Sequence, residues 1–327
     1  MKILLLGSNG LLGHNVLLTL LQQGHSVNAL LRSVGSLHTQ GFPHLENLTI
    51  IEGSILDYNQ LLGAATGCQA IINCAGVTDM SLLHYDDYLP VNCNLCQLIL
   101  DVMRQLNICC LVHTSTANTI GYGKPMHPAD ESAPIQPPFA HSFYALSKQA
   151  GEQLLLQAAS TMPHGHIIIV NPGFMVGPYD TRPSSGTLLL AANRKIIMAA
   201  PKGGKSFIHV ADAAAAIANA LTLGHNGQRY LLTGSNLSIR QFYRLQAQTC
   251  HYRQLLIDVP NWLLSIAGWI GDMLRMCRIP TQLSTRNVRQ LMVREYYNHN
   301  AASNDLAMPQ TPIHTAINDF FTWHYRK

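Results

Sequence analysis

Short aliphatic runs and amphipathic stretches alternate through the first half of the chain. Ile3-Leu4-Leu5-Leu6 is the first such run, and it ends in a glycine turn. Runs of this length bounded by turn residues read as strands, and 3.6-residue periodicity reads as helix. The pattern predicts strands over Lys2–Leu6, Ser26–Leu31, Leu48–Ile51, Ala70–Asn73, Ile108–His113 and His166–Val170. It predicts helices over Leu11–Gln23, Tyr58–Ala65, Ser81–Leu106 and Ser142–Ala159. The strands are nearly continuous in aliphatic residues, as expected when both faces of a sheet are covered. Strand and helix in alternation predict an α/β protein with a doubly wound parallel sheet.

After Asn171 the pattern loosens, and Pro172-Gly173, Gly177-Pro178 and Pro183 punctuate it. A helix over Ala211–Leu223 and a strand over Arg229–Leu232 are expected to return to the sheet. From Leu237 the chain reads as mainly helical. We therefore expect a Rossmann-type domain over residues 1–170, rejoined by 207–233. A smaller, mostly helical lobe is expected from 171–206 and 234–327. The most apolar late stretch, Trp262 to Ile270, is too short to span a bilayer. It is expected as a buried cap helix, with a surface-seeking membrane contact as the other reading.

Composition narrows the class. The chain is 47% hydrophobic and 12% charged, enough apolar material for a substantial core. Its net charge of +4 comes from scattered residues, with no basic run or basic-aromatic stripe, so nucleic acid is not an expected partner. Met1-Lys2 leads straight into the first strand, with no pattern of a signal peptide. Eight cysteines without an export signal suggest a reduced, cytoplasmic setting. Cys93 and Cys96 have no second matched pair, so zinc is not expected. Asp79, His84, Asp86 and Asp87 match no metal-ligand set either.

Three features point to chemistry. Gly7-Ser8-Asn9-Gly10-Leu11-Leu12-Gly13 follows the first strand and opens the first helix. Glycines there permit a tight turn and close approach of the backbone to a pyrophosphate at the helix N-terminus. The second strand ends in Arg32, where a carboxylate would hold the ribose 2′-hydroxyl of NAD. A guanidinium can instead pair with a 2′-phosphate, which predicts NADP, with NAD possible; alternatively Arg32 only stacks on adenine. Third, Tyr144 and Lys148 stand four residues apart on one predicted helix face. An ammonium beside a phenol lowers its pKa, and the pair could pass a proton to or from a substrate oxygen. Lys202-Gly203-Gly204-Lys205-Ser206 is not a phosphate loop, because the required first glycine is Ala199.

In this order the motifs resemble the extended short-chain dehydrogenase/reductase family, within its dihydroflavonol-4-reductase-like branch. The resemblance runs from the glycine turn through Asn73-Cys74-Ala75-Gly76, Thr114-Ser115-Thr116 and Tyr144-x-x-x-Lys148. It continues through Asn171-Pro172-Gly173 and Val176-Gly177-Pro178 to Phe207-Ile208-His209-Val210 and Gly227-Gln228-Arg229-Tyr230. It implies an NADP-dependent reductase of a ketone or aldehyde on a mostly apolar molecule, expected as a homodimer. Tyr144 would be the proton donor and Lys148 would hold the nicotinamide ribose. Thr116, with Ser115 as neighbour, would polarise the carbonyl.

The resemblance further implies a dinucleotide cradle. Gly7, Asn9, Gly10, Leu11, Leu12, Gly13, Arg32, Ser54 and Ile55 would line its adenosine and pyrophosphate side. Cys74, Ala75, Gly76, Thr114, Asn171, Pro172 and Gly173 would line the rest. By adjacency to these motifs, Met80, Phe139, Met175, Tyr179, Ser184 and Phe207 are the candidate substrate residues. The family commonly has Gly-Asp where this chain has Gly53-Ser54, and Arg-Pro where it has Asn171-Pro172. Nucleotide-sugar epimerases usually carry an arginine just before the Phe-Ile-His-Val segment; here Lys202 and Lys205 stand there. An epimerase or dehydratase with tightly bound NAD is thus the runner-up. A non-catalytic NADP-binding sensor or scaffold is a third reading, opposed by the intact Tyr144 and Lys148.

Overall fold

The computed structural model describes every residue except Pro163, Arg182, Pro183, Ser184, Arg278, Pro280, Gln282 and Lys327. Its first part alternates strand and helix. The elements are β1 (Lys2–Leu6), α1 (Leu11–Gln22), β2 (Ser26–Leu31), β3 (Leu48–Glu52), α2 (Tyr58–Ala65), β4 (Ala70–Asn73), α3 (Leu95–Leu106), β5 (Cys110–Thr114), α4 (Phe143–Thr161) and β6 (His166–Pro172). There follow β7 (Phe174–Val176), α5 (Gly186–Ala192), β8 (Ile197–Pro201), β9 (Gly204–His209), α6 (Val210–Leu223), β10 (Arg229–Leu232), β11 (Ser235–Ser238) and α7 (Ile239–Thr249). The chain ends with β12 (Leu255–Val259), α8 (Asn261–Met276), α9 (Thr285–Arg289), α10 (Asn300–Asp305) and α11 (Ile313–Arg326).

Seven strands form one sheet in the order β10-β6-β5-β4-β1-β2-β3, and every pairing in it is parallel. Successive side chains on a strand point to opposite faces. Ile3, Leu5, Ile168 and Val170 accordingly join one core with Val16, Leu17 and Ile217 from α1 and α6. Leu4, Leu6, Ile167 and Ile169 join the other, with Leu61, Ile99 and Leu155 from α2, α3 and α4. Each fully buried aliphatic side chain stabilises by about 1.5–3 kcal/mol, so covering both faces explains why the strands lack polar alternation. The expected α/β fold with a doubly wound parallel sheet is the one observed.

Beyond β6, a three-stranded sheet (β11-β9-β7) and a two-stranded one (β12-β8) are added. A third core, with Phe207, Phe242, Ile317 and Phe320, packs around them. Three differences from the sequence expectation stand out. The helix expected over Ser81–Leu106 starts only at Leu95, after short 3-10 and π turns at Tyr85–Asp87 and Pro90–Asn94. Pro90 lacks an amide hydrogen and crowds the preceding turn, which opposes a continuous α-helix there. The strands β7, β8, β9, β11 and β12 lie in the region read as irregular or helical. Arg229–Leu232 does form the strand that joins the large sheet, beside β6. Finally, α8 is not a buried cap helix: only Gly268 and Gly271 among its residues are buried.

Candidate active site

The glycine turn is shaped for close backbone approach. Gly7 has φ of +78°, a region open to glycine at no steric cost. A Cβ on Gly7 would also lie 2.7 Å from the Ala75 nitrogen, and one on Gly13 would collide with the Gly7 carbonyl oxygen. The turn closes through the Gly10 amide, which donates to the Gly7 carbonyl at 3.1 Å. No side chain caps the start of α1, and no acidic residue stands in its first turn. The amides there, with the positive end of the helix dipole, are therefore available to an anion. Leu11 and Leu12 turn their side chains to the core, so what they present to a ligand is backbone.

Around this turn the structure assembles several predicted residues. The Asn9 amide donates to Ser36 Oγ at 3.1 Å, and Ser36 donates to the Ser33 carbonyl at 2.6 Å. These bonds tie the glycine turn to the segment just after Arg32. Arg32 itself is exposed at the end of β2, and it has no ion-pair partner among the described residues. The Ser54 hydroxyl accepts the Leu56 amide at 3.2 Å, while its own amide donates to Gln60 Oε1 at 2.6 Å. Ile55 packs against the second core. Asn73 Oδ1 accepts the Ala75 amide at 3.0 Å, which shapes the Cys74-Ala75-Gly76 loop. Burial pushes the Cys74 thiol up to about 11, partly opposed by a hydrogen bond from Thr114.

Ser142 caps α4, its hydroxyl accepting the Ala145 amide. That start places Tyr144 in the first turn and Lys148 one turn on. Lys148 is only 3% exposed, and its ammonium donates to the Thr114 carbonyl at 2.7 Å. Burial lowers its pKa, while Cys96, Glu152 and Cys74 pull the other way. Thr116 faces the Tyr144 hydroxyl and acts to lower its pKa, but burial outweighs this and raises the value above that of a free phenol. The expected lowering by Lys148 is not what this structure shows, because the ammonium is turned to Thr114. Thr116 Oγ1 also accepts the Asn118 amide at 3.3 Å. The neighbouring Ser115 hydroxyl is buried with no hydrogen-bond partner among the described residues.

A buried polar network backs this group. Glu152 accepts from Thr119 at 2.7 Å and from the Asn171 amide at 2.6 Å, and faces Arg229 at 3.6 Å. Glu152 therefore serves a structural network and not an ion pair with Lys148. Asn171 also donates to the Thr116 carbonyl at 3.0 Å, holding the end of β5 against β6. The next residues are fixed by backbone: the Gly173 amide donates to the Leu232 carbonyl at 2.9 Å. A Cβ on Gly173 would lie 2.6 Å from the Ser206 carbonyl oxygen. Asn92, in the π turn, bonds the Val77 amide and carbonyl and Ser147 Oγ. It thus locks the loop after β4 to α4.

The candidate substrate residues divide. Phe139 and Phe207 are fully buried; Phe139 meets Tyr122 edge-on and Phe207 stacks on Phe242 at 4.1 Å. Neither presents surface to a ligand, so adjacency to a motif is a poor guide here. Met175 is half-buried against the first core. Met80 is half-buried, with its carbonyl held by Arg275 at 3.2 Å and Asn287 at 3.0 Å. Tyr179 has φ of +71° and packs its ring, tilted by 33°, against His14 of α1 with centroids 4.4 Å apart. Ser184 lies outside the described residues. Sequence reasoning missed a cleft of about 350 Å³ lined by Leu83, Pro138, His141, Asp272, Arg275, Arg286 and Arg289. Arg286 lies over the Phe143 ring, 3.7 Å from its centroid, next to Tyr144.

A parallel seven-stranded sheet with flanking helices and a glycine turn at its first strand defines a Rossmann-type fold. The chain belongs to the NAD dependent epimerase/dehydratase family, whose model matches residues 3–232. The resemblance seen in the motifs is thereby borne out, and the protein is an oxidoreductase of the extended short-chain dehydrogenase/reductase type. It is 28% identical to a Synechocystis protein named "Putative dihydroflavonol 4-reductase", over 97% of this chain and 92% of the relative. It is also 28% identical to the 4-hydroxy-2-methyl-3-oxo-4-farnesyl-3,4-dihydroquinoline-1-oxide ketoreductase of Stigmatella aurantiaca, over 86% of this chain and 82% of that one. Among solved structures, that of gox2253 superposes with a TM-score of 0.83 at 20% identity, covering 99% of this chain and 98% of the other.

Proposed function

We propose that the protein is an NADP-dependent reductase that converts a ketone or aldehyde on a mostly apolar molecule to an alcohol. The observation that carries this reading is Lys148, buried on α4 one helical turn from Tyr144 and bonded to the Thr114 carbonyl, which holds Tyr144's helix against the strand end that carries Thr116. The names of the reductase and ketoreductase relatives are consistent with it. The glycine turn suits a dinucleotide, since its backbone packs too closely against the Cys74-Ala75 loop and α1 to admit side chains at Gly7 or Gly13, and the N-terminus of α1 is uncapped. When bound, the dinucleotide supplies the hydride from its nicotinamide.

The chain's own residues supply the remainder. The amides from Gly7 to Gly13 bind the pyrophosphate, helped by the helix dipole. Asn9 holds the loop that follows Arg32, and Arg32 pairs with the 2′-phosphate. Ser54 and Ile55 border the adenine. Cys74, Ala75, Gly76, Thr114, Asn171, Pro172 and Gly173 shape the nicotinamide side. Tyr144 gives its proton to the substrate oxygen, and Thr116, with Ser115 beside it, donates a hydrogen bond to that same oxygen. Lys148 holds the ribose hydroxyls and, turned from Thr114 toward the phenol, stabilises the phenolate left behind.

The test is consumption of added NADPH or NADH by purified protein with aromatic and aliphatic ketones. Ketone-dependent NADPH oxidation supports the reading. Tightly held NAD, with no ketone-dependent turnover of added NADPH, would overturn it in favour of an epimerase or dehydratase.

A further inference from the structure

Helix α8 turns its apolar side to solvent. It seats against the chain entering α9 through its two buried glycines. A Cβ on Gly268 would lie 2.9 Å from Thr285 Cα, and one on Gly271 would collide with the Leu283 carbonyl. Close contact is therefore made by backbone, and the bulky side chains are left on the other side. Trp262, Ile266, Trp269, Ile270, Met273 and Met276 are all exposed, from 47% at Ile266 to 84% at Met276. At 100° per residue these six fall within an arc of about 120°. An exposed apolar patch of this kind marks a binding surface.

Charge says which kind of surface fits it. From Trp262 to Arg289 the sequence has four arginines (Arg275, Arg278, Arg286, Arg289) less one carboxylate (Asp272), three of the chain's net charge of +4. Asp272 is already engaged, accepting the Thr285 amide at 3.2 Å. Among the described residues, Arg275, Arg286 and Arg289 have no carboxylate at ion-pair distance, and all three line the cleft beside Tyr144's helix. A second copy docked here about a two-fold axis would bring these like charges together. An anionic lipid surface would neutralise them. Tryptophan also favours the boundary between headgroups and acyl chains. At 16 residues, about 24 Å long, the helix can lie in that boundary, and no helix among the described residues is long and apolar enough to cross a membrane.

We propose that α8 docks the protein onto a bilayer containing anionic lipids. The apolar arc sinks to the headgroup boundary, and the net positive charge of the region, with Arg289 its exposed member, draws it to lipid phosphates. The cleft then opens at the lipid surface, where an apolar carbonyl compound is concentrated. Docking stands on the helix alone; only substrate entry from the lipid rests on the reductase reading.

The experiment is sedimentation of the intact protein with phosphatidylcholine vesicles, with and without phosphatidylglycerol. It is paired with the double variant Trp262→Ser/Trp269→Ser, whose positions are solvent-exposed and outside the proposed catalytic machinery. Wild type should sediment with phosphatidylglycerol-containing vesicles, and brominated lipid should quench its tryptophan emission. The double variant should partition at least about tenfold less. Protein that stays in the supernatant overturns the proposal, as does binding indifferent to the double substitution. A wild-type dimer that the double substitution converts to monomer overturns it in favour of a second copy. Ketone-dependent NADPH turnover without vesicles tests the reductase reading separately, so the two can fail independently.

Discussion

Lys148 reaches from α4 to the carbonyl of Thr114, at 2.7 Å. One charge thereby ties the helix that presents Tyr144 to the strand end that presents Thr116. The proposed proton donor and the proposed carbonyl-polarising hydroxyl are held in register by a residue that need not touch the substrate carbon. Tyr144→Phe removes the donor and leaves that tie intact. Turnover should fall by about 10²–10⁴-fold while NADPH binding persists. Full activity in this variant, measured with an accepted ketone, would remove the central claim of the proposed mechanism.

Arg32 tests the choice of dinucleotide. It is exposed and has no ion-pair partner among the described residues, so its loss should cost the fold little. Arg32→Ala should weaken NADPH binding by about tenfold to a hundredfold, the range for a charge-assisted hydrogen bond, and leave NADH nearly unaffected. Fluorescence titration with both cofactors checks it. Tighter NADH binding that ignores the substitution would reverse the assignment.

How much of this was legible in the sequence differs by region. The Rossmann strands were, because a strand buried on both faces must be aliphatic throughout, and Ile3 to Leu6 or Ile167 to Val170 permit little else. The glycine turn was also legible, since Gly7 and Gly13 are demanded by backbone contacts within one local motif. The strands β8 and β12 were not, because they are short and only Ala200 among their residues is buried, so they lack the patterning that burial imposes. The apolar stretch in α8 announced itself, but periodicity cannot say whether an apolar face is covered. The arginine cleft joins Leu83, Pro138 and His141 to residues beyond Asp272, a proximity created only by tertiary structure.

The glycine turn yields a contrast between neighbouring positions. A Cβ on Gly13 would strike the Gly7 carbonyl, whereas one on Gly10 would meet the same oxygen at an ordinary 3.5 Å. Gly13→Ala should therefore destabilise the free protein by about 1–3 kcal/mol, the usual penalty for overpacking. Gly10→Ala should cost under about 1 kcal/mol, the smaller loss of a good helix-capping residue. Denaturant melts of both variants without cofactor check this, and equal losses would mean the turn relaxes around either methyl.

Two buried imidazoles make stability depend on pH. His14 lies against Phe42 and Tyr179; burial, then the nearby His38, pushes its pKa down to about 4. His113 is held well below the ordinary imidazole value by burial and then by the charge of Lys148. In the unfolded chain both titrate near 6.5. Above that pH both states are neutral at these groups and their contribution is fully present. Below it the unfolded chain takes up protons that the folded chain refuses, so stability falls as pH drops from about 6.5 toward 4. His14→Gln removes one of the two groups and keeps a hydrogen-bonding side chain of similar size. The decline in Tm over that window should become shallower, though not flat, because His113 remains. An unchanged slope in melts at stepped pH would show that His14 is protonated within the fold.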